Sequence, residues 1–374
     1  MTSVFYLFRD APHRRAALRL EPGLPARYSL YGLDQLAARG HSIQHNLEQP
    51  GPPPAWARAG GAALKRGLER AGGYGGDFAT ILASLRQLNR ADVVFSTVDT
   101  VGIPLVLLAR GRLVTPPFVY TAIGLPERLR RLRSGRMRRL YARALGGAAA
   151  IVAYSAHEAA ELGRWLRERG AEVPVEFVPF GVDVDAFRPT SEPPELDVVS
   201  IGADPHRDFD LLLDVARELP EIEFGIVATG ERSRELPDRP PNVSLETDLA
   251  FADMRRRLET ARVVALPIRD NSYSGATTVL LQAMALGKPV VVTRTQAIAR
   301  GYGLADGENC RLVPPGDPES FARALRSVLR DDWHARALGG AARATVERDL
   351  TWERYVDRIE NVIVGRARRT ASEA

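Results

Sequence analysis

Short apolar runs recur along the chain. Each is closed by glycine, proline or a small polar cluster, and most are followed by a stretch of helical period. In the first half the runs are Val4 to Phe8, Asp92 to Ser96, Phe118 to Thr121 and Ala150 to Tyr154. In the second half they are Leu196 to Gly202, Ile222 to Val227, Asn242 to Leu245, Val263 to Leu266 and Pro289 to Thr293. Runs without polar alternation fit parallel strands covered on both faces. Helical periods fall over 28–39, 77–89, 157–169, 210–219, 251–260 and 276–286, and later over 319–329, 333–348 and 352–364. Strands separated by helices imply parallel crossovers and doubly wound α/β sheets. Residues 49–76, rich in Gly and Pro, predict a mobile excursion, and the charged tail after Gly365 predicts disorder.

One stretch carries chemistry on top of this pattern. The strand Val263 to Leu266 ends at Pro267. A polar loop with one glycine follows, and then a helix from Ala276 to Leu286, stopped by Gly287 and Pro289. The first amides of a helix lack internal partners and carry the positive end of its dipole, so a phosphate or diphosphate is the natural ligand. Thr277 and Thr278 add hydroxyl donors, and Gln282 lies one turn beyond Thr278 on the same face, within reach of a neighbouring sugar hydroxyl. The competing reading makes Ser274-Gly275-Ala276-Thr277-Thr278 an ordinary helix cap.

Composition narrows the class. The 374 residues, 45% hydrophobic and 26% charged, suffice for two domains with proper cores. The single cysteine, Cys310, excludes an intrachain disulfide and a cysteine-built metal site, and fits a reducing cytoplasm. No apolar run is long enough to span a membrane. The start of the chain is expected to be a first strand rather than a leader. The net charge of +5 is unevenly spread. Residues 1–185 hold 25 Lys/Arg against 16 Asp/Glu (+9), and residues 186–374 hold 26 against 30 (−4). Eight arginines fall within the seventeen residues 127–143, interleaved with Leu129, Leu132, Met137, Leu140 and Tyr141 near helical spacing. That segment is a solvated helix, or an anionic membrane surface contact through residues 128–143, or a site for an anionic acceptor. Nucleic acid is not expected, because no aromatic interleaving, zinc spacing or RNA-binding signature accompanies the charge.

Ser274 to Pro289, followed by Asp306-Gly307-Glu308-Asn309 through Pro318-Glu319, resembles the C-terminal domain of family 4 glycosyltransferases (glycosyl transferases group 1). Val175 to Pro189, with its Gly181-Val182-Asp183 and Phe187-Arg188-Pro189, is similar to that family's interdomain signature. The resemblance implies a GT-B fold, with two Rossmann-like doubly wound domains facing across a cleft. The expected division is 1–185 for the acceptor-binding domain, 186–349 for the nucleotide-sugar domain, and 350–374 for a helix returning to the first domain plus a tail. It further implies transfer of a sugar from a nucleotide-diphosphate sugar to an acceptor hydroxyl, retaining and without metal or cofactor. The acceptor would be a cell-envelope lipid, a polysaccharide or a secondary metabolite. The protein would be cytoplasmic, or peripheral at the inner face of the membrane.

The resemblance also nominates residues. The donor site is expected from Gly202, Arg207, Ser274, Gly275, Ala276, Thr277, Thr278 and Gln282. The family's Glu-x7-Glu pair is replaced here by Ser274 and Gln282, and its basic loop after the strand 196–202 is met only by Arg207. The histidine that relatives often carry after the strand equivalent to Phe118 to Thr121 is absent, with Ala122-Ile123-Gly124 in that place. The catalytic base is unassigned. Asp10, His13 and Asp99, in loops expected at strand ends, are the candidates against a capping or surface role for each. Two other classes stay open: a non-catalytic binding or activator protein, and a GT-B epimerase or phosphorylase.

Overall fold

The computed structural model describes residues 1–48, 51–236, 238–273 and 275–365. The charged tail from residue 366, and Ser274, lie outside the described residues. The chain divides into two compact units, Met1–Val178 with Val356–Ala374, and Pro179–Tyr355.

The first unit holds strands β1 (Ser3–Leu7), β2 (Ser42–His45), β3 (Val93–Ser96), β4 (Phe118–Ala122), β5 (Ala150–Ala153) and β6 (Val175–Phe177). Its helices are α1 (Pro12–Leu18), α2 (Leu33–Ala38), α3 (Ala55–Arg70), α4 (Phe78–Leu88), α5 (Asp99–Arg110), α6 (Leu125–Arg130), α7 (Gly135–Leu145) and α8 (Ala156–Arg167). The sheet runs β2-β1-β3-β4-β5-β6, with every pairing parallel.

The second unit holds β7 (Leu196–Ile201), β8 (Phe224–Ala228), β9 (Val243–Thr247), β10 (Ala261–Leu266), β11 (Val290–Thr293) and β12 (Arg311–Val313). With them come α9 (Phe209–Glu218), α10 (Gly230–Ser233), α11 (Phe251–Glu259), α12 (Thr277–Ala285), α13 (Pro318–Arg330) and α14 (Asp332–Asp349). The chain ends in α15 (Trp352–Glu360) and a π-helical turn, Asn361–Gly365. This sheet runs β12-β11-β10-β7-β8-β9, again all parallel. The apolar runs are its buried strands: every residue of β11, and all of β10 except Arg262, is buried.

In each sheet the chain leaves the first strand in one direction and then returns to its other side. The strand order therefore switches between β1 and β3, and between β7 and β10. Crevices at the carboxyl ends of strands at such points are where open α/β sheets bind ligands.

Two expectations fail, and a third is refined. The described part of 49–76 is not an excursion, because α3 packs on α4 there. Gly61 is a contact residue: a Cβ on it would lie 2.6 Å from the Ala79 amide nitrogen. The helix expected over 28–39 is a 3-10 turn, Pro25–Leu30, and then α2, interrupted by left-handed Tyr31 (φ 55°) and Gly32 (φ 81°). The arginine-rich segment is two helices, α6 and α7, the second capped by Ser134, whose Oγ accepts from the Arg136 amide at 3.2 Å. Its apolar stripe faces inward. Leu129, Leu132 and Tyr141 are buried in the core of the first unit, and Met137 and Leu140 pack against it.

Candidate functional site

The crevice of the second unit is built from the loops after β7 and β10. Beyond Ile201 the chain makes a tight loop, and the Arg207 side chain folds back over Gly202. A Cβ at Gly202 would lie 2.3 Å from Arg207 Nε, so any larger residue there would displace the guanidinium. Arg207 is 2% exposed. Its Nη2 donates to the Ile201 carbonyl at 2.6 Å, while Nε and Nη1 are buried with no partner. Burial pulls its pKa down to about 10, against the opposing charge of Asp204, so the guanidinium stays protonated at neutral pH. A buried charge with one hydrogen bond is costly unless something completes its shell. The backbone around it is held firmly. Asp208 N–H donates to the Pro267 carbonyl at 2.9 Å, Arg269 N–H to the His206 carbonyl at 2.8 Å, and Arg232 Nη2 to the Arg207 carbonyl at 2.9 Å.

On the other side of the crevice, α12 starts at Ala276 with no capping side chain. Ser274, the hydroxyl residue of the cap reading, lies outside the described residues. Thr277 and Gln282 are each 3% exposed. Thr277 Oγ1 and Gln282 Oε1 are buried and have no hydrogen-bond partner, whereas Thr278 is half-buried. Buried polar groups in folded proteins are nearly always paired. Here three residues singled out from the sequence carry unpaired atoms at one strand switch. The two loops are stitched together by groups that sequence reasoning missed. Tyr273 Oη donates to the Asp204 carboxylate (2.9 Å to Oδ2), and His206 Nδ1 lies 2.8 Å from the same phenol. Gly275 sits against that carboxylate, and a Cβ there would fall 2.6 Å from Asp204 Oδ2. Asp204-Pro205-His206 carries an Asx-turn signal, and the Asp204 side chain does accept from the His206 amide at 2.7 Å. Among the described residues no group of His, Cys, Asp and Glu is placed to hold a metal ion.

Residues 195–331, the sheet and helices that carry this crevice, match the family described as "Glycosyl transferases group 1". This segment is similar to the group 1 glycosyltransferases. The phosphatidyl-myo-inositol mannosyltransferase of Mycolicibacterium smegmatis is 31% identical over 186 residues, 45% of this chain and 46% of that protein. A mannosyltransferase of Corynebacterium glutamicum is 26% identical over 228 residues, 54% of this chain and 59% of that protein. It is described as GDP-mannose-dependent and acting on a monoacylated phosphatidylinositol monomannoside. The chain thus spans about half the length of the curated relatives it matches. Among solved structures, the sucrose-phosphate synthase of Thermosynechococcus elongatus superposes over 100% of both chains with a TM-score of 0.73 at 16% identity. The Anabaena protein HepE in complex with UDP-glucose does so over 100% of both with 0.69 at 14%. The fold is GT-B.

The first unit of this GT-B chain treats its candidate residues differently. Asp10 is exposed and paired with Arg15 at 2.7 Å, beside a 520 Å³ hollow that also involves Pro12 and Arg19. His13 is an exposed residue in the first turn of α1, not in a loop, because Pro12 already starts that helix. Asp99 is not in a loop either. It is the first residue of α5 and 2% exposed. Its carboxylate accepts from Tyr120 Oη, from the Ile123 amide at 3.3 Å and from Arg128 Nε at 3.3 Å. Burial raises its pKa to about 6, opposed by the Tyr120 hydrogen bond and the Arg128 charge. Glu158 also escaped sequence reasoning. Ser155 and Glu158 have the spacing of a capping box, and Ser155 Oγ does accept from the Glu158 amide at 3.2 Å. The Glu158 side chain, however, reaches across to the Gly124 and Leu125 amides at 2.7 and 3.0 Å.

Proposed function

We propose that this protein is a glycosyltransferase moving a sugar from a nucleotide-diphosphate sugar to an acceptor hydroxyl. The observation that supports it most is the buried, half-satisfied Arg207 guanidinium beside the uncapped start of α12, in a unit similar to the group 1 glycosyltransferases. An arginine fork and free helix amides suit diphosphate oxygens. As the bond from the sugar to the diphosphate breaks, negative charge grows on the leaving oxygen, and preorganised donors there stabilise it. Gln282, a turn further on, takes a sugar or ribose hydroxyl. Retention of configuration and independence from metal rest on analogy with the family.

The relatives supply the substrate reading. One is named for GDP-mannose and a phosphatidylinositol mannoside, and one solved relative holds UDP-glucose. A cell-envelope lipid is therefore the acceptor class we favour. Arg131, Arg133, Arg136 and Arg139 in the 128–143 segment are exposed. Each basic residue near an anionic leaflet contributes about 1 kcal/mol, which suits an enzyme working at a membrane surface. None of the described helices is long and apolar enough to cross a membrane.

Calorimetry with UDP, GDP, ADP and dTDP, with and without magnesium, tests the donor site. One diphosphate is expected to bind selectively without magnesium. Arg207→Ala and Thr278→Val should each weaken it by about tenfold or more. Unchanged affinity in both variants would remove the proposed site, and no binding of any diphosphate would favour a non-catalytic binding protein.

A further inference from the structure

A second cavity lies at the opposite end of the first unit's sheet from its ligand crevice. It has a volume of 420 Å³ and opens where α5 ends, β4 begins and α7 ends. Three guanidinium side chains line it, Arg110 at the last turn of α5, Arg112 in the loop that follows, and Arg143 on α7. Its apolar wall comes from Val114, Phe118 and Ala144, all buried. Among the described residues none of the three arginines has a carboxylate within ion-pair distance, unlike the arginines of some other surfaces of this chain. On β10 and α11, for example, Arg262, Arg255, Arg256 and Arg257 each meet an acid within 3.0 Å.

The backbone shows the same bias. Helix α5 ends in a Schellman turn, with Arg112 N–H donating to the Ala109 carbonyl at 2.9 Å and Leu113 N–H to the Leu108 carbonyl at 3.0 Å. The left-handed position of such a turn is usually glycine. Here it is Arg112 at φ 60°, a strained choice that keeps a cation at the cavity mouth. The loop is also fixed from behind. Asn89, which ends α4, donates to the Leu113 carbonyl at 2.9 Å and accepts from the Thr115 amide at 3.0 Å. A part-apolar cavity lined by three arginines that form no ion pair among the described residues has the size and make-up of a small-ligand site.

We propose that this cavity binds a small phosphorylated molecule or a phosphate headgroup, at a site separate from the donor cradle. The guanidinium forks take the phosphate oxygens, and Val114, Phe118 and Ala144 face the carbon skeleton attached to it.

The probe is glycerol phosphate, titrated into the full chain by calorimetry. Saturable binding is expected in the natural protein and also in Arg207→Met, which separates this site from the donor cradle. The triple variant R110Q/R112G/R143Q should bind about tenfold more weakly or worse. Arg112→Gly alone should weaken binding while raising Tm, because glycine relieves the left-handed backbone. A merely structural arginine would not give that pair of results. Equal affinity in natural and triple-variant protein, or loss of binding in Arg207→Met, would overturn the proposal. Sedimentation with phosphatidylglycerol vesicles separates the two sources. Vesicle binding that falls in the triple variant and is competed by glycerol phosphate identifies a headgroup. Vesicle binding that stays constant while glycerol phosphate binding falls identifies a soluble phosphorylated ligand.

Discussion

Helices α6 and α12 begin in similar surroundings, although only α12 follows a strand at a switch in strand order. Each follows a buried parallel strand, β4 or β10, and neither has a capping side chain on its own N-cap residue. Yet they end up opposite in character. At α6 the amides of Gly124 and Leu125 are occupied by Glu158, a carboxylate 1% exposed and supplied by a different helix. Burial, and then the charge of Asp99, push that carboxyl well above the usual range, while the two amides pull it back. At α12 no side chain of the N-cap residue Ala276 caps the helix, and Thr277, Gln282 and Arg207 have buried atoms unpaired among the described residues. A helix N-terminus is thus not a ligand site in itself. It becomes one where the fold withholds an internal acceptor and supplies further donors.

The contrast can be broken most forcefully at its closed end. Glu158→Ala strips the acceptor from two buried amides and leaves a cavity, so a loss of roughly 3–5 kcal/mol is expected in urea unfolding. A loss under about 1 kcal/mol would mean that α6 is no more closed than α12.

A second test sharpens the closed side through pH. The folded protein holds the Asp99 proton up to about pH 6, whereas an unfolded aspartate releases it near 4. The native state therefore binds the extra proton in that window, and stability falls as pH rises through it, by roughly 3 kcal/mol. Asp99→Asn does not titrate. Its stability curve should lose that slope while Glu158, Arg128 and Tyr120 stay in place. An unchanged slope in the variant would show that another group carries it.

The smallest effect is expected at the open end. Arg207→Met should lower diphosphate affinity by about 2 kcal/mol. It should leave stability unchanged or raise it by about 1 kcal/mol, since a buried cation with one internal bond is replaced by an apolar side chain. A stability loss comparable to that of Glu158→Ala would make Arg207 a structural residue and dissolve the contrast.

Much of the molecule was legible in the residues. Val290 to Thr293 could hardly be anything but a buried strand, and Gly287 with Pro289 placed the end of α12 within two residues. Asp306 to Glu319 and Val175 to Pro189 carried the family resemblance. Other features were misread because the same residue type serves two physical purposes. Gly60 and Gly61 looked like a flexible linker, but a glycine also permits close helix packing, and here Ala79 makes that the operative role. The leucines and tyrosine among the arginines of 127–143 have helical spacing, but an apolar stripe cannot declare which apolar partner covers it. In the fold it is covered by the unit's own core.

The sequence by itself therefore determined the alternation of strands and helices, the parallel doubly wound sheets and the place of the strand, loop and helix from Val263 to Leu286. These depend on local period and local backbone freedom, which neighbouring residues encode. Only the tertiary structure decided that Arg207 lies buried with open donors, that Asp204 and Tyr273 tie its loop to α12, and that Glu158 shuts the start of α6. Each of these is set by which distant residue arrives at an unpaired group. That arrival depends on the packing of whole elements against one another, and no local pattern records it.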